Sequence, residues 1–287
     1  MINSNLPLVS VLMTSYNREK YIKEAIESIL SSTYQNFELI IVDDQSGDRT
    51  VGIAQELAAK DTRVKVYVNE QNLGDYPNRN KAASYANGKY LKYVDADDLI
   101  YPHGLELLVA MIERYPNAGY GLCSLHQDKL KIFPFELEPA AAYRYHYFGP
   151  GLFHKAPLSS IIRKDAFDRV GGFTPVRMCG DYDMWHKLSQ KYNVVLMPQG
   201  IVWYREHGEQ EMSQHLKYSL NYEHAFIKYI KSEHCPLSEK EVDTILSIRK
   251  KTSLKQLIKH TMKIRLPLAR LEWQKIKVYK SLNKQRI

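Results

Sequence analysis

Residues 90–98, YLKYVDADD, join an apolar strand to three carboxylates, and this combination indicates the fold class of the chain. Tyr90–Val94 has the composition of a buried β-strand, and the acids follow where the strand ends. Apolar strands also lead into polar residues at Leu8–Thr14 and Phe37–Asp43. In open α/β sheets, ligands bind beyond the carboxyl ends of the strands, so these polar stretches are the first candidates for a site.

Helical segments alternate with the strands through the first half of the sequence. Because parallel strands need crossover connections, this alternation predicts an α/β fold with a mostly parallel sheet flanked by helices. Apolar periodicity gives the bounds. The predicted strands are Leu8–Thr14, Phe37–Asp43, Val64–Val68 and Tyr90–Val94, and the predicted helices are Glu19–Ser31, Val51–Lys60, Pro77–Ala86 and Tyr101–Arg114.

The second half is less regular. Residues 130–154 are rich in aromatic side chains and contain Gly149-Pro150-Gly151, which predicts a loop able to order over a ligand. From about Ser213 the pattern predicts only helix. Between these regions we expect strands at Ala118–Leu125, Ser159–Arg163, Val194–Met197 and Ile201–Glu206, and helices at Lys164–Val170 and Tyr182–Tyr192.

Composition predicts a soluble cytoplasmic protein. The 287 residues include 44% hydrophobic and 25% charged side chains, which excludes disordered and fibrous classes. No apolar run approaches the ~18–20 residues that span a bilayer, and Leu6–Met13 is too short for a signal peptide. Three cysteines without metal-type spacing are typical of free thiols in a reducing compartment.

Charge divides the chain into two parts. Thirteen Lys or Arg residues and one acid, Glu272, follow from Arg249 to the end, whereas residues 1–248 carry 27 bases and 31 acids. A mildly acidic body does not suit nucleic acid. The basic amphipathic tail suits an anionic membrane surface, and packing on the body or on a partner chain with a solvated basic face suits it equally well.

Three acids after the fourth strand form the strongest local motif. Asp95 and Asp97 point to the same side of an extended backbone, where like charges repel unless a cation lies between them. Oxygen ligands of this kind favour Mg²⁺ or Mn²⁺. The alternative is that the acids cap the helix near Tyr101, a role for which one of the three would suffice.

Other candidates follow the remaining strands. An Asp after the second strand can accept hydrogen bonds from a base or a ribose, but Asp43, Asp44 and Asp48 are equally good turn and N-cap residues for the helix that follows. Tyr16 can stack on a base or simply pack. Asp181 is either a helix N-cap or a general base, and the helix N-terminus makes it a weak base unless burial opposes that.

The motifs together resemble an inverting, nucleotide-sugar-dependent glycosyltransferase of the bacterial family 2 type, with the GT-A fold. The resemblance covers roughly residues 7–208 in the family's order. It implies a catalytic domain of residues 1–212, with a nucleotide-binding half (1–115) and an acceptor-binding half (116–212), and a helical extension of residues 213–287. The motifs are TSYNREKYIKEAIESIL, FELIIVDDQSGDRT, Asn72-Leu73-Gly74 with Arg79-Asn80, GKYLKYVDADD and GDYDMW.

The resemblance also implies roles for single residues. Asp181 matches the catalytic base, Asp97 matches the residue on the metal and diphosphate, and the Arg205-x-His207 pair resembles one found near the diphosphate. The family often has Glu-Asp at the base position, whereas Gly180 precedes the aspartate here. The matched nucleotide-binding residues are Thr14, Tyr16, Asp44, Arg79, Asp95 and Arg205, and the matched metal ligands are Asp97 and His207.

The predicted function is metal-assisted transfer of a sugar, with inversion, from a nucleotide-diphosphate donor, a UDP-sugar, to a hydroxyl of a glycan or lipid-linked acceptor. Surface polysaccharide synthesis is what the resemblance implies. The alternative is a non-catalytic module that binds a sugar nucleotide or a glycan on the same fold. The four carboxylates Asp44, Asp95, Asp97 and Asp181 together argue for the enzyme.

Overall fold

The computed structural model describes residues 6–208, 217–263 and 265–284. Its first half alternates strands and helices, and the predicted bounds of the second and third strands are confirmed. The remaining ends in this half, through the fourth strand, lie within three residues of their predicted positions. The elements are β1 (Val9–Ser15), α1 (Ile22–Leu30), β2 (Phe37–Asp43), α2 (Thr50–Ala58), β3 (Val64–Val68), α3 (Asp75–Ser84) and β4 (Tyr90–Tyr93).

The second half extends the same sheet and makes it mixed. This half adds four strands to the main sheet, and four helices cover or connect them. The elements are β5 (Leu99–Ile100), α4 (Gly104–Ile112), β6 (Ala118–Leu125), β7 (Phe135–Leu137), α5 (Pro139–Tyr147), β8 (Ser160–Arg163), α6 (Lys164–Arg169), α7 (Gly180–Ser189), β9 (Asn193–Pro198) and β10 (Val202–Trp203).

The main sheet has eight strands in the order β3-β2-β1-β4-β8-β6-β9-β7. Strands β3, β2, β1 and β4 are parallel to one another, and β6 is parallel to β9. Strand β8 runs antiparallel between β4 and β6, and β7 is an antiparallel edge strand. The prediction of a mostly parallel sheet flanked by helices is therefore confirmed, with its parallel order concentrated in the first four strands.

Alternation along the strands fills a core on each face of the sheet. On β1, Val11 and Met13 belong to one core, whereas Leu12 belongs to the other. Both faces of the sheet are covered, as expected for parallel strands in which most residues are apolar. The helices cover the faces of the sheet, and a site can form beyond the carboxyl ends of its parallel strands.

Two predictions in the second half are wrong. Residues 130–154 are not one long loop, because Phe135–Leu137 pairs with β9 and Pro139–Tyr147 forms α5. The aromatic side chains that suggested a ligand-covering loop pack inward instead, and Tyr143 of α5 is fully buried. The strand predicted at Ile201–Glu206 is limited to Val202–Trp203, which pairs with β5.

Three helices follow the mixed sheet: α8 (Ser219–Ile230), α9 (Glu239–Met262) and α10 (Leu266–Lys284). Side chains of α8 and early α9, including Phe226 and Ile245, belong to the body's core. The predicted boundary at residue 212 falls within 209–216, outside the described residues, and stays a prediction. None of the described helices combines the length and the apolarity needed to cross a membrane. All three cysteine thiols are unpaired.

Candidate active site

A cleft of about 730 Å³ opens at the carboxyl ends of β1, β2 and β4. Its walls bring together segments from distant parts of the chain, from Thr14 near the end of β1 to Tyr222 of α8. Arg205 and His207, which were predicted to lie with these groups, do not line the cleft but contact residues that do: both contact Asp97, and Arg205 also contacts Asp98. The predicted residues that line the cleft are Thr14, Tyr16, Asp44, Arg79, Asp95, Asp97 and Asp181.

The turn after β2 separates two neighbouring aspartates by role. Asp43 is buried and accepts hydrogen bonds from the Ser15 hydroxyl and from the backbone N–H of Ser46, so it holds the loop. Asp44 lines the cleft, and its two carboxylate oxygens accept the backbone N–H groups of Leu73 and Gly74 at 2.8 Å each. Asp44 therefore fixes the β3–α3 loop and still faces the cavity. Tyr16 lies nearby with half of its surface exposed.

Asp95 is held by a buried arginine. Arg79 donates from Nη1 to Asp95 Oδ1 at 2.6 Å and from Nη2 to Oδ2 at 2.9 Å, which is a bidentate pair. The same guanidinium donates from Nε to Asp75 Oδ1 at 2.8 Å. These two carboxylates raise the pKa of Arg79 against the opposing effect of its burial. Arg79 thus joins two acidic walls of the cleft instead of standing free for a ligand.

Asp97 contacts three basic residues. Its Oδ2 accepts a hydrogen bond from Arg18 Nε at 2.9 Å and faces His207 Nε2 at 3.1 Å. Arg205 donates to the backbone carbonyl of Asp97 and pairs its other end with Glu24, so its guanidinium turns away from the cleft. Arg18 is a cleft residue that the sequence motifs contained but that was not among the predicted site residues.

The Asp97–His207 pair fits a divalent cation. The 3.1 Å between Oδ2 and Nε2 is close to the spacing of adjacent ligands around an ion with ~2.1 Å bonds. Among the described residues, no group of three or more His, Cys, Asp or Glu forms a complete metal site. A site with two protein ligands suits Mg²⁺ or Mn²⁺, which usually take their remaining ligands from phosphates and water.

The third acid of the motif behaves differently. Asp98 is buried, and burial together with the neighbouring charges of Asp95 and Asp97 raises its pKa to about 8. Its Oδ1 accepts the backbone N–H of Arg205 at 2.9 Å, which ties the segment after β10 to the motif. All three acids of the motif therefore line the cleft, and Asp98 also ties the motif to the segment after β10.

Asp181 lines the same cleft. It is the second residue of α7, with Cys179 at the N-cap position, so the prediction of an N-cap is wrong. Its Oδ1 accepts the Tyr182 backbone N–H at 2.7 Å and lies 3.3 Å from the Tyr76 hydroxyl. Burial and then the charge of Asp75 raise the pKa of Asp181 to about 6, against the helix N-terminus.

Gly180 explains how this chain departs from the Glu-Asp pattern. A Cβ at residue 180 would lie 2.6 Å from the Tyr76 ring, closer than side-chain atoms approach one another. Only glycine lets the buried Tyr76 ring pack against the start of α7, and this packing brings the Tyr76 hydroxyl to Asp181. The missing carboxylate is thus replaced by a phenol in contact with the same aspartate.

Helix α8 completes the wall beside Asp181, which the sequence did not predict. Tyr222 lines the cleft and donates its hydroxyl to the Met178 carbonyl. Asn221 donates to the Arg177 carbonyl at 3.2 Å, and the Tyr229 hydroxyl donates to Asp183 of α7 at 2.7 Å. The segment that leads into Asp181 is therefore held by a helix that comes much later in the chain.

Comparison with known proteins agrees with the fold. The family model described as glycosyl transferase family 2 matches residues 10–171. An uncharacterized glycosyltransferase of Haemophilus influenzae is 28% identical over 232 residues, which cover 73% of this chain and 68% of that protein. The Escherichia coli UDP-Glc:α-D-GlcNAc-diphosphoundecaprenol β-1,3-glucosyltransferase WfgD is 39% identical over 105 residues, covering 37% of this chain and 41% of that one.

Two solved structures share the fold. Residues 1–349 of Staphylococcus aureus TarS, in complex with UDP-GlcNAc, have a TM-score of 0.65 at 17% identity, covering 96% of this chain and 91% of that chain. The mannosyltransferase PcManGT of Pyrobaculum calidifontis, in complex with GDP-Man and Mn²⁺, has a TM-score of 0.58 at 17% identity, with coverages of 96% and 85%. The predicted GT-A fold is confirmed, and the chain belongs to glycosyl transferase family 2, a family of glycosyltransferases.

Proposed function

We propose that this glycosyltransferase transfers a sugar, with inversion, from a UDP-sugar to a hydroxyl of a glycan or lipid-linked acceptor in surface polysaccharide synthesis. The observation that carries the proposal is one cleft with two kinds of carboxylate. Asp97, paired with Arg18 and His207, lines the same cavity as Asp181, whose pKa is raised to about 6. This is the arrangement that a displacement between a donor and an acceptor needs.

The donor side of the cleft has groups for each part of a nucleotide. The exposed Tyr16 ring offers a stacking surface for a base, and Asp44 offers carboxylate oxygens to its N–H groups. Asp95, held in place by Arg79, offers the same acceptors to ribose hydroxyls. The complexes of TarS with UDP-GlcNAc and of PcManGT with GDP-Man support a sugar nucleotide as the ligand of this fold.

The diphosphate belongs beside Asp97. A divalent cation bound there by Asp97 and His207 supplies charge stabilisation for the diphosphate as it leaves. The Mn²⁺ in the PcManGT complex supports this assignment. Arg18, which donates to Asp97, lies where its guanidinium can also reach phosphate oxygens.

Asp181 acts as the base. Its raised pKa makes it a stronger base than an ordinary aspartate, while it remains largely ionised above pH 7. Asp181 accepts the proton of the acceptor hydroxyl as that oxygen bonds to the anomeric carbon. The bond from the anomeric carbon to the phosphate oxygen breaks at the same time, and the diphosphate leaves with the electron pair. A single in-line displacement inverts the anomeric carbon and needs no covalent intermediate.

We also propose that the enzyme works on the cytoplasmic face of a membrane, because a lipid-linked acceptor stays in the bilayer. The name of WfgD, whose substrate is a diphosphoundecaprenol, supports an acceptor of this class.

The test combines a panel of UDP-sugars and other nucleotide sugars with the variant Asp181→Asn. We expect one donor to be turned over, and we expect the variant to bind that donor with unchanged affinity while transfer falls by about 10²–10⁴-fold. The exposed Asp165→Asn is the matched control and should behave as the parent. Near-parental transfer by Asp181→Asn would contradict the base assignment, and no turnover of any donor would favour a non-catalytic binding module.

A further inference from the structure

Helix α9 has an inner face that is fully accounted for by packing. Val242 and Ile245 are buried at its start, and Ser253 is buried further along. Between them Arg249 donates from Nη1 to Glu223 of α8 at 2.9 Å, and the Tyr279 hydroxyl of α10 donates to the same carboxylate. This cluster fixes α9 to both neighbouring helices.

The opposite side of α9 has a different composition. Seven of its residues fall on one side at 3.6 residues per turn, and each of the seven is exposed. Four are large and apolar, with exposed fractions from 50% for Ile248 to 80% for Met262. The other three are lysines. We call this surface the outer face; it consists of Ile248, Lys251, Leu254, Lys255, Ile258, Lys259 and Met262.

The charge of this part of the chain has a single sign. Residues 244–271 contain eight Lys or Arg and no Asp or Glu. Leu266, 65% exposed at the start of α10, continues the apolar exposure past the turn. Such a surface costs solubility and leaves lysines without acidic neighbours in the sequence, so it calls for a partner that is both anionic and apolar.

An anionic bilayer matches both properties. Lipid phosphates pair with the lysines while Leu254, Ile258 and Met262 enter the boundary between headgroups and acyl chains. A second copy of the chain would bring lysine rows against each other, and a nucleic acid would leave the apolar residues in water. We propose that the outer face of α9 is a binding surface for anionic membrane lipids. The surface itself is argued from α9, and it rests on the proposed function only for its use, which is to reach a lipid-linked acceptor.

The position of the outer face suits that use. Arg249 contacts Glu223, which is the neighbour in sequence of the cleft residue Tyr222. From Arg249 to Met262, α9 continues for roughly 20 Å at 1.5 Å per residue. The outer face is therefore carried by a helix that contacts α8, the helix from which Tyr222 enters the cleft.

The experiment is sedimentation of the full chain with large unilamellar vesicles, without donor or acceptor. We expect binding to vesicles that mix phosphatidylglycerol into an excess of phosphatidylcholine, and little binding to pure phosphatidylcholine. The triple variant Lys251→Glu/Lys255→Glu/Lys259→Glu should bind at least about 100-fold more weakly, from about fivefold for each lysine. The variant Ile258→Ser/Met262→Ser should bind at least about tenfold more weakly, because it loses apolar burial.

The matched control is Lys60→Glu/Lys191→Glu/Lys231→Glu, which changes the net charge equally at exposed sites outside the outer face. It should retain binding within about fivefold. Equal binding by all variants would overturn the proposal. The proposal would also be overturned if the parent did not bind vesicles but dimerised in solution through the outer face. In that case Ile258→Ser/Met262→Ser would make the protein monomeric. Because no sugar is present, the vesicle experiment tests the lipid-binding surface independently of the proposed activity. Donor turnover is measured separately on the same variants.

Discussion

The carboxylates of the proposed donor and acceptor sides of the cleft differ in their hydrogen-bond partners and in the charges beside them. On the donor side, Asp95 and Asp97 each accept a hydrogen bond from an arginine, and Asp44 accepts two backbone N–H groups. On the acceptor side, Asp181 has one backbone N–H, a tyrosine hydroxyl at 3.3 Å and the repulsion of Asp75. The contacts on the proposed donor side hold carboxylates in place, whereas those around Asp181 suit the proposed exchange of a proton.

This difference shows that reactivity depends on which neighbours a carboxylate has, because all these groups are chemically the same. A carboxylate that accepts hydrogen bonds from arginine is held in a defined geometry. An anion placed in a poorly solvated position carries a cost that is relieved when it takes a proton. The variants below test whether each side owes its behaviour to the contacts described.

The largest effect on stability is expected at Arg79. Replacing Arg79 by Met leaves Asp75 and Asp95 facing each other without their shared cation, so the free energy of unfolding should fall by about 3 kcal/mol. Urea denaturation measures it. Arg18→Met is the control, since Arg18 is more exposed and pairs only with Asp97 among the described carboxylates; it should cost about 1 kcal/mol or less. Equal losses for the two variants would remove the distinction between the pairs.

Asp97 is expected to show the next largest effect, on ligand binding. Asp97→Ala removes the carboxylate from the Asp97–His207 pair, so Mn²⁺-dependent binding of UDP should weaken by about 10–100-fold. Calorimetry with and without Mn²⁺ measures this. The parent with excess EDTA should bind UDP as weakly as the variant does. Unchanged affinity in both conditions would argue against a metal at this position.

Asp181 is expected to lower the stability of the protein at neutral pH. Its pKa is raised in the folded state, so ionising it costs folding free energy at pH values above about 6, and the cost disappears below its ordinary pKa near 4. The free energy of unfolding of Asp181→Asn should therefore exceed that of the parent by about 1–2 kcal/mol at pH 8 and equal it near pH 4. Thermal or urea unfolding across this range tests it.

The same titration predicts how catalysis depends on pH. As Asp181 takes a proton, transfer by the parent should decline below about pH 6. A rate that stays constant from pH 8 to pH 5 would contradict the role of Asp181.

The smallest effect is expected at Tyr222. Tyr222→Phe keeps the ring in the cleft and removes the hydrogen bond to the Met178 carbonyl. The free energy of unfolding should fall by about 1 kcal/mol or less. The KM for the acceptor should rise a few-fold while the KM for the donor stays the same. Tyr222→Ala removes the ring as well and should raise the acceptor KM further. An equal change in both KM values would place Tyr222 outside the acceptor side.

The sequence predicted the strands and helices of the first half of the chain well because their signals are local. The strand at Phe37–Asp43 and the acids at Asp95 and Asp97 are each visible within a few neighbouring residues. The acceptor half depends on contacts between distant segments. Tyr222 reaches the cleft from a helix with no motif of its own, and the aromatic α5 has a composition that also fits a loop. The bidentate pairing of Arg79 with Asp95 depends on packing, which periodicity does not encode.

The contact between residue 180 and the Tyr76 ring has a consequence for variation among relatives. An acidic side chain at position 180 and an aromatic ring at position 76 compete for the same space, so they should exclude each other within a lineage. A chain that changes one position would have to pass through an intermediate that is either overcrowded or hollow beside the base. An engineer who wants Asp181 beside a glutamate instead of the Tyr76 phenol should therefore change both positions together. The two changes are Glu at position 180 and a small residue at position 76.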